Sequence, residues 1–258
     1  MKNKKRMNAI RSMALAVMGS LSVVSVQAQN ADEVVNNYLN GTGGKDKWNS
    51  VKTIRMRGKI KVQSTELPVT ILQGEGGKMK VSTLSHGKDF VQMAFDGTTA
   101  WSTNQATLLP EKMTDEDTYN LKQDAGSDFP DPFLNYKSKG YKVEIQGNEK
   151  VENVDCVKVK MTKNPQKLNN KAEENTIDYF LDAQTSVPLM SRVKLKQGPV
   201  RGIIQETYFS NYQKVQGIMF PFEMRYRING LQGQTIYIES VELNIPLDDK
   251  EFALPTGN

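Results

Sequence analysis

The 258-residue chain contains one cysteine, Cys156, and one histidine, His86. A single cysteine cannot form a disulfide within the chain, so stability has to come from a packed core. No H-E-x-x-H motif, no paired C-x-x-C motif and no EF-hand loop is present, although these are the patterns typical of metal sites. The sequence therefore predicts no metal and no cofactor.

The residues best suited to catalysis lack partners. His86 falls in a predicted turn, and the chain has no G-x-S-x-G motif for it to serve. Cys156 shares a predicted strand face with Lys158 and Lys160, whose charges would lower a thiol pKa, but no histidine motif accompanies it. The acidic residues within 111–117 lie where a helix should begin, which suits the helix dipole without any metal. We predict that the protein is not an enzyme.

A mostly apolar run occurs only at the amino end, over residues 13–26, after a basic start. Val26-Gln27-Ala28 then forms a small-x-small cleavage site. This order predicts a secretory signal peptide over residues 1–28 and one mature domain over 29–258. The run is shorter than the about 20 residues that a membrane-spanning helix needs, and the cleavage site argues against a short membrane anchor. Residue 29 is Gln and not a lipid-carrying cysteine, so we expect an exported protein without a lipid anchor.

The charge balance changes once this peptide is removed. The peptide holds five of the 34 Lys and Arg residues and none of the 29 Asp and Glu residues, so the mature chain has a formal net charge of zero. No clustered basic run with interleaved aromatics remains. The basic pI of the whole chain therefore gives no support to nucleic-acid binding.

Helices are predicted at the amino end and in mid-chain. Acidic residues and an apolar face over 32–41 indicate a first helix that Gly41 ends, and a second short one follows over 45–50. A capping box formed by Thr114 and Asp117 predicts a helix over 114–125. Asp131-Pro132 is typical of a helix start, so a further helix is expected over 131–140.

The rest of the chain alternates between apolar and polar residues with a period of two, as strands with one buried face do. Ten or so such segments joined by short turns predict one antiparallel sheet, with helices free to cover one face. The alternation puts large, soft side chains on the inner face, among them Met56, Met79, Met93, Phe95, Met161, Phe220, Phe222 and Met224. Residues of this kind either pack against one another or line an adaptable apolar cavity. The residues alone leave both possibilities open.

Several local patterns, in this order along the chain, resemble the periplasmic lipoprotein-sorting carriers of the LolA/LolB-like family. They are Gly43-Gly44 with Trp48 and the strand that follows, Phe95-Asp96-Gly97 with Trp101, Val154-Asp155-Cys156-Val157, Tyr179-Phe180-Leu181-Asp182 with Pro188-Leu189, and Asn244-Ile245-Pro246-Leu247 with Phe252 and Pro255. The resemblance implies a mainly β fold, a highly curved antiparallel sheet of about 10 to 11 strands that forms a half-open barrel. Helices would cover its concave face.

The resemblance also implies a function, that of a soluble periplasmic carrier which shields acyl chains of lipoproteins or lipids in a hydrophobic cavity. It implies a monomer with an inner-membrane donor and an outer-membrane acceptor. The expected cavity residues are Met56, Met93, Phe95, Phe133, Leu134, Met161, Phe220, Phe222 and Met224. The family's functional arginine would correspond to Arg55 or Arg57, although alternation places both opposite the apolar face. The alternative is an envelope protein-binding or sensory module on the same fold, without lipid transport.

Overall fold

The computed structural model describes residues 30–85, 87–196 and 201–255. The predicted signal peptide and His86 lie outside these residues. The described residues form three α-helices, α1 (Ala31–Gly41), α2 (Lys45–Asn49) and α3 (Asp115–Asp128). They also form thirteen strands, which are β1 (Thr53–Val62), β2 (Thr65–Gly74), β3 (Lys78–Ser85), β4 (Lys88–Phe95), β5 (Ala100–Thr103), β6 (Pro110–Lys112), β7 (Lys142–Val151), β8 (Val154–Leu168), β9 (Lys171–Asp182), β10 (Pro188–Lys194), β11 (Ile204–Val215), β12 (Ile218–Ile228) and β13 (Leu231–Leu243).

All thirteen strands belong to one antiparallel sheet with the order β6-β5-β4-β3-β2-β1-β13-β12-β11-β10-β9-β8-β7. Pairing of β1 with β13, with Ile60 opposite Ile236, joins the two halves of the chain. The edge strands β6 and β7 do not pair, so the sheet is curved but not closed. The predicted fold class is confirmed. The strand count exceeds the prediction because β5 and β6 have only four and three residues, too few to show alternation.

The concave face holds the main core, and α1 is anchored in it. Asn30 accepts a hydrogen bond from the amide of Glu33 at 2.8 Å and so begins the helix. The apolar face predicted for this helix is buried, and its residues are Val34, Val35, Tyr38 and Leu39. After α1, Trp48 on α2 is buried against Phe220, with ring centroids 5.5 Å apart. The amino-terminal helices therefore fill one end of the half-barrel with apolar side chains.

The alternation in β4 is broken by a register shift. Val81 pairs with Met93 but Ser82 pairs with Val91, so one residue of β4 is left over between them. The bulge places Val91 in a separate cluster with Ala94 and Trp101, whereas the sequence pattern predicted that it would share a face with Met93 and Phe95. That prediction is wrong for Val91, because an inserted residue reverses the faces of a strand beyond it.

The helix expected over 131–140 is also wrong. Residues 132–140 form successive turns, and Asn135 has a positive φ of 54° that an α-helix cannot contain. The predicted cap at Asp131 does exist, since its Oδ1 accepts from the amide of Phe133 at 2.8 Å. The local start signal is thus satisfied without a helix after it.

The convex face is partly covered by the carboxyl-terminal segment. Phe252 is buried, and its carbonyl accepts a hydrogen bond from Nε1 of Trp101 at 2.8 Å. Lys78 on β3 pairs with Asp249 at 2.5 Å in the same region. No helix within the described residues is long and apolar enough to cross a membrane.

Candidate functional site

A cavity of about 460 Å³ lies between α3 and the concave face of the sheet. Met93 on β4 and Val193 on β10 belong to opposite arms of the sheet, so the cavity occupies the opening of the half-barrel. The apolar lining consists of Met93, Met113, Leu121, Ile177, Val193 and Leu195. The polar lining consists of Asp117, Asn120, Asp124, Lys163, Gln166, Asn175, Thr176, Lys194 and Lys196. The volume is within the range of small-molecule sites, which measure roughly 300–1,000 Å³.

The helix α3 begins as the capping box predicts. Oγ1 of Thr114 accepts from the amide of Asp117 at 3.1 Å and donates to the carboxylate of Asp117 at 2.6 Å. The helix lacks an apolar stripe, and Asn120 is its one buried residue. A polar helix gains little from hydrophobic burial. Its position must therefore depend on polar contacts.

Lys163 on β8 makes the central contact with α3. Its Nζ lies 2.6 Å from a carboxylate oxygen of Asp124 and 2.8 Å from one of Asp128, and its side chain is only 9% exposed. Asp124 also accepts from the side chains of Gln166 at 2.7 Å and Asn175 at 2.8 Å. The inward-pointing lysine and its two aspartates, called here the Lys163 latch, fasten the carboxyl-terminal half of α3 to β8.

Further contacts hold the middle and the carboxyl-terminal end of α3. Asn120 exchanges two hydrogen bonds with the backbone of Lys167, at 2.7 and 2.8 Å. Near the carboxyl-terminal end, a Cβ on Gly77 would lie 2.1 Å from Cα of Gly126. The helix therefore touches β8 on one arm of the sheet and the β2–β3 connection on the other, which makes it a bridge across the opening.

The electrostatics of the Lys163 latch reflect one ammonium group shared by two carboxylates. Burial alone would lower the pKa of Lys163, but the charges of Asp128 and Asp124 outweigh burial and raise that pKa. Burial raises the pKa of Asp128, because the shared ammonium does not fully offset its loss of water. The ammonium group of Lys163 is therefore well compensated, whereas the carboxylate of Asp128 recovers only part of the free energy that it loses on burial.

A second buried polar group lies beneath α1. The hydroxyl of Tyr38 donates to the carboxylate of Asp131, which also accepts from the amides of Phe133 at 2.8 Å and Leu134 at 3.2 Å. Burial raises the pKa of Asp131 to about 6. This group ties the turns after α3 to the anchored helix α1.

The structure distributes the nine predicted cavity residues unevenly. Met93 lines the cavity, and Phe95 is fully buried. The other seven lie in or against the main core, and they are Met56, Phe133, Leu134, Met161, Phe220, Phe222 and Met224. Whether any of the nine residues, Met93 included, contacts a ligand stays a prediction.

The sequence reasoning missed most of the cavity wall. Period-two alternation places Ile177 and Val193 on the apolar faces of their strands, but it does not indicate that either lines a cavity. Lys163 carried a usable signal, since it continues the inward positions of Val159 and Met161 with a charge. A lysine on the buried face of a strand requires a partner of opposite charge. In the structure, Asp124 and Asp128 on α3 are those partners.

The remaining polar candidates lie away from the cavity. Cys156 is buried in a cluster with Phe180 and Met190, and burial raises the pKa of its thiol, which opposes nucleophilic reactivity. Arg55 holds Glu242 through two hydrogen bonds of 2.7 and 3.0 Å, and Arg57 binds the same carboxylate at 2.8 Å. No group of three or more potential ligands for a metal occurs in the described part of the chain.

Solved structures with very different sequences share this architecture. A LolA superfamily protein from Nitrosomonas europaea is 10% identical, with a TM-score of 0.54 over 88% of this chain and 98% of that protein. A Vibrio parahaemolyticus domain named for outer membrane lipoprotein sorting is 14% identical, with a TM-score of 0.55 over 86% and 97%. A DUF1329 family protein from Desulfovibrio piger is 13% identical, with a TM-score of 0.54 over 86% and 97%. The chain shares the fold of these structures, which is the half-open barrel that the sequence resemblance predicted.

The sequence itself places the chain in a family. A family model described as "Uncharacterized protein" matches residues 110–255, more than half of the chain, and the chain belongs to that family. No curated protein matches the chain.

Proposed function

We propose that the protein is a non-enzymatic periplasmic carrier that shields acyl chains of a lipoprotein or lipid in the cavity beneath α3. The observation that carries this proposal is a cavity with an apolar strip on the sheet, which includes Met93, Ile177 and Val193, covered by a polar helix. Covering the methylene groups of an acyl chain with apolar side chains is favourable. When α3 moves away from the sheet, it exposes no large apolar face of its own. That combination suits reversible loading.

The energies of loading and of opening are similar in size. Each buried methylene contributes about 0.8 kcal/mol, and each hydrogen bond contributes about 1 kcal/mol net to stability. Several hydrogen bonds and the Lys163 latch hold α3 on the sheet. Burial of one or two methylenes of an acyl chain therefore offsets the loss of one such hydrogen bond. In contrast, α1 buries four apolar side chains and stays in place. We infer that α3 is the element that moves during loading.

The leader and the fold together support the place of action. A signal peptide without a lipid-carrying cysteine suits a carrier released into the periplasm. The donor would then be an inner-membrane component and the acceptor an outer-membrane one, with the chain acting as a monomer. Mass spectrometry of lipids retained by the gently purified mature protein would identify the cargo class. Retention of a peptide without lipid would favour the protein-binding alternative.

A matched pair of variants tests the cavity. Val193 lines it on β10, whereas Val154 is 39% exposed at the far end of β8. Delipidated wild-type protein should bind a fluorescent fatty acid saturably. Val193→Asp should strongly weaken this binding because a hydrated carboxylate would replace apolar surface that an acyl chain covers, and Val154→Asp should retain it. Absence of saturable binding by the wild type, or equal binding by both variants, would refute the proposal.

A further inference from the structure

The antiparallel order of the sheet brings alternate hairpins to one end of the half-barrel. The terminal pairs of three of these hairpins are Val62 with Thr65, Leu168 with Lys171, and Ile228 with Leu231. The β3–β4, β5–β6 and β10–β11 hairpins turn at the same end. Side chains far apart in sequence therefore share one edge of the molecule.

Exposed apolar side chains concentrate at this edge. Seven large apolar residues are exposed across the described parts of the chain, and the two elsewhere are Val154 and Tyr237. The five at this edge are Val62 (47% exposed), Leu84 (43%), Leu108 (65%), Leu109 (62%) and Leu231 (75%). Scattered exposed leucines need no explanation, but clustering at one edge of a molecule indicates an interaction surface.

Besides its exposure, Leu108 has an unfavourable backbone conformation. It has a positive φ of 57°, and twelve non-glycine residues have positive φ in the described ranges. The other eleven are all polar, mostly asparagine, which tolerates this conformation. A strained leucine that is 65% exposed gains little from burial on folding, so its side chain is explained better by an external contact.

Cations without partners lie on the same edge. Lys171, Lys194 and Arg201 are exposed, and none of them forms an ion pair with another described residue. Lys61 is paired there with Glu66 at 3.8 Å and Lys112 with Asp115 at 3.4 Å. Other acids at this edge are Asp89, Glu111, Glu116, Asp117 and Glu173. The three cations without an ion-pair partner in the described residues therefore lie together at the β8–β9 and β10–β11 hairpins.

The cavity extends to this edge. Lys194 and Leu195, where β10 ends, line it, and so does Asn120, which binds the backbone of Lys167 beside the β8–β9 turn. An acyl chain that leaves the cavity at this edge passes between the exposed apolar side chains and the unpaired cations. We call the set of Val62, Leu84, Leu108, Leu109, Leu231, Lys171, Lys194 and Arg201 the docking rim.

We propose that the docking rim binds the surface of a bilayer that contains anionic lipid. The apolar tips enter the boundary between headgroups and acyl chains, and the three cations meet lipid phosphates. The mouth of the cavity then faces the membrane, so that an acyl chain moves between the two without crossing water. Membrane docking itself does not depend on the proposed carrier function; only this route for the acyl chain rests on it.

Vesicle flotation of the mature protein tests the docking rim. Wild type should float with vesicles of phosphatidylglycerol and phosphatidylcholine, and less with pure phosphatidylcholine. The double variant Leu108→Asn with Leu109→Ser should bind roughly tenfold more weakly, because it removes several inserted methylenes. The control Val154→Ser with Tyr237→Ser removes two exposed apolar side chains elsewhere and should bind within about twofold of wild type.

A charge variant and a cavity variant complete the design. Lys171→Gln, Lys194→Gln and Arg201→Gln together should abolish the preference for anionic vesicles. Val193→Asp should float like wild type, which separates failure of the docking rim from failure of the cavity. Wild type that does not float, or a control that loses as much binding as the rim variant, would overturn the proposal. So would a rim that binds only a protein and no vesicle.

Discussion

The substitution Lys163→Met tests whether the Lys163 latch holds α3 on the sheet. It removes the ammonium group that lies 2.6 and 2.8 Å from two carboxylates and leaves a side chain of similar length. The negative charges of Asp124 and Asp128, both on α3, would then repel each other with no ammonium group between them. The expected result is a helix that undocks more often while the sheet stays folded.

The size of the effect follows from burial. Removal of one partner from a buried ion pair costs about 3–5 kcal/mol. Here the carboxylates are 31% and 27% exposed, and they keep hydrogen bonds from Gln166, Asn175 and Tyr141. We therefore expect a loss of about 2 kcal/mol in the docking of α3, which is roughly a 30-fold increase in its open population.

Hydrogen exchange followed by mass spectrometry measures this opening. Amides of α3 should exchange roughly 30-fold faster in Lys163→Met, and amides of β12 and β13 should be unchanged. Lys160→Met is the matched control, because Lys160 lies on the same strand but on its other face, in an exposed pair with Glu174 at 3.5 Å. Such exposed pairs contribute about 0–1 kcal/mol.

Two outcomes would contradict this reasoning. Equal exchange of α3 in Lys163→Met and Lys160→Met would mean that the ion pairs do not hold the helix. Faster exchange throughout the sheet would mean that Lys163 supports the whole fold and not α3 alone. Adding Asp124→Asn and Asp128→Asn to Lys163→Met should slow the exchange of α3 again, because neutral amides at these positions do not repel each other.

Three further predictions concern other parts of the fold. Because the pKa of Asp131 is raised to about 6 in the folded protein and is about 3.9 in an unfolded chain, its contribution to stability should fall as pH rises from about 4 to about 6. In urea unfolding, the free energy of unfolding of Asp131→Asn relative to wild type should therefore rise by about 3 kcal/mol as pH rises from about 4 to about 6. A difference between the two proteins that does not vary with pH would exclude this account. Leu108→Asn should raise the free energy of unfolding by about 1 kcal/mol by relieving the positive φ, whereas Leu109→Asn should not; equal effects would show that strain is not the cause. Gly77→Ala should displace α3 and speed its hydrogen exchange, since the new Cβ would lie 2.1 Å from Cα of Gly126; unchanged exchange would rule out this contact as a constraint.

Much of the fold was predictable because local signals and burial agreed. The apolar face of α1, the cap at Thr114 and the alternation of β12 each report a single element and its buried side. The structure confirms all three. Asp131 shows the limit of local signals, since its cap forms while Asn135 at positive φ prevents the helix.

The site was less predictable because it depends on what lies opposite each residue. Alternation indicates that Met93 and Val193 face inward, but only the pairing of β1 with β13 and the curvature of the sheet bring them to one cavity. The bulge in β4 moves Val91 to the other face, and one inserted residue leaves little trace in composition.

By itself, the sequence determined a mainly β chain with one buried strand face, and it predicted a leader and no catalytic or metal motif, because these properties depend on residue type and spacing. Only the tertiary structure decided that Lys163 meets Asp124 and Asp128, that a polar helix covers the cavity, and that Leu108 shares an edge with Leu231. Those relations join residues distant in the chain. They are set by the register and curvature of the sheet, which no local pattern encodes.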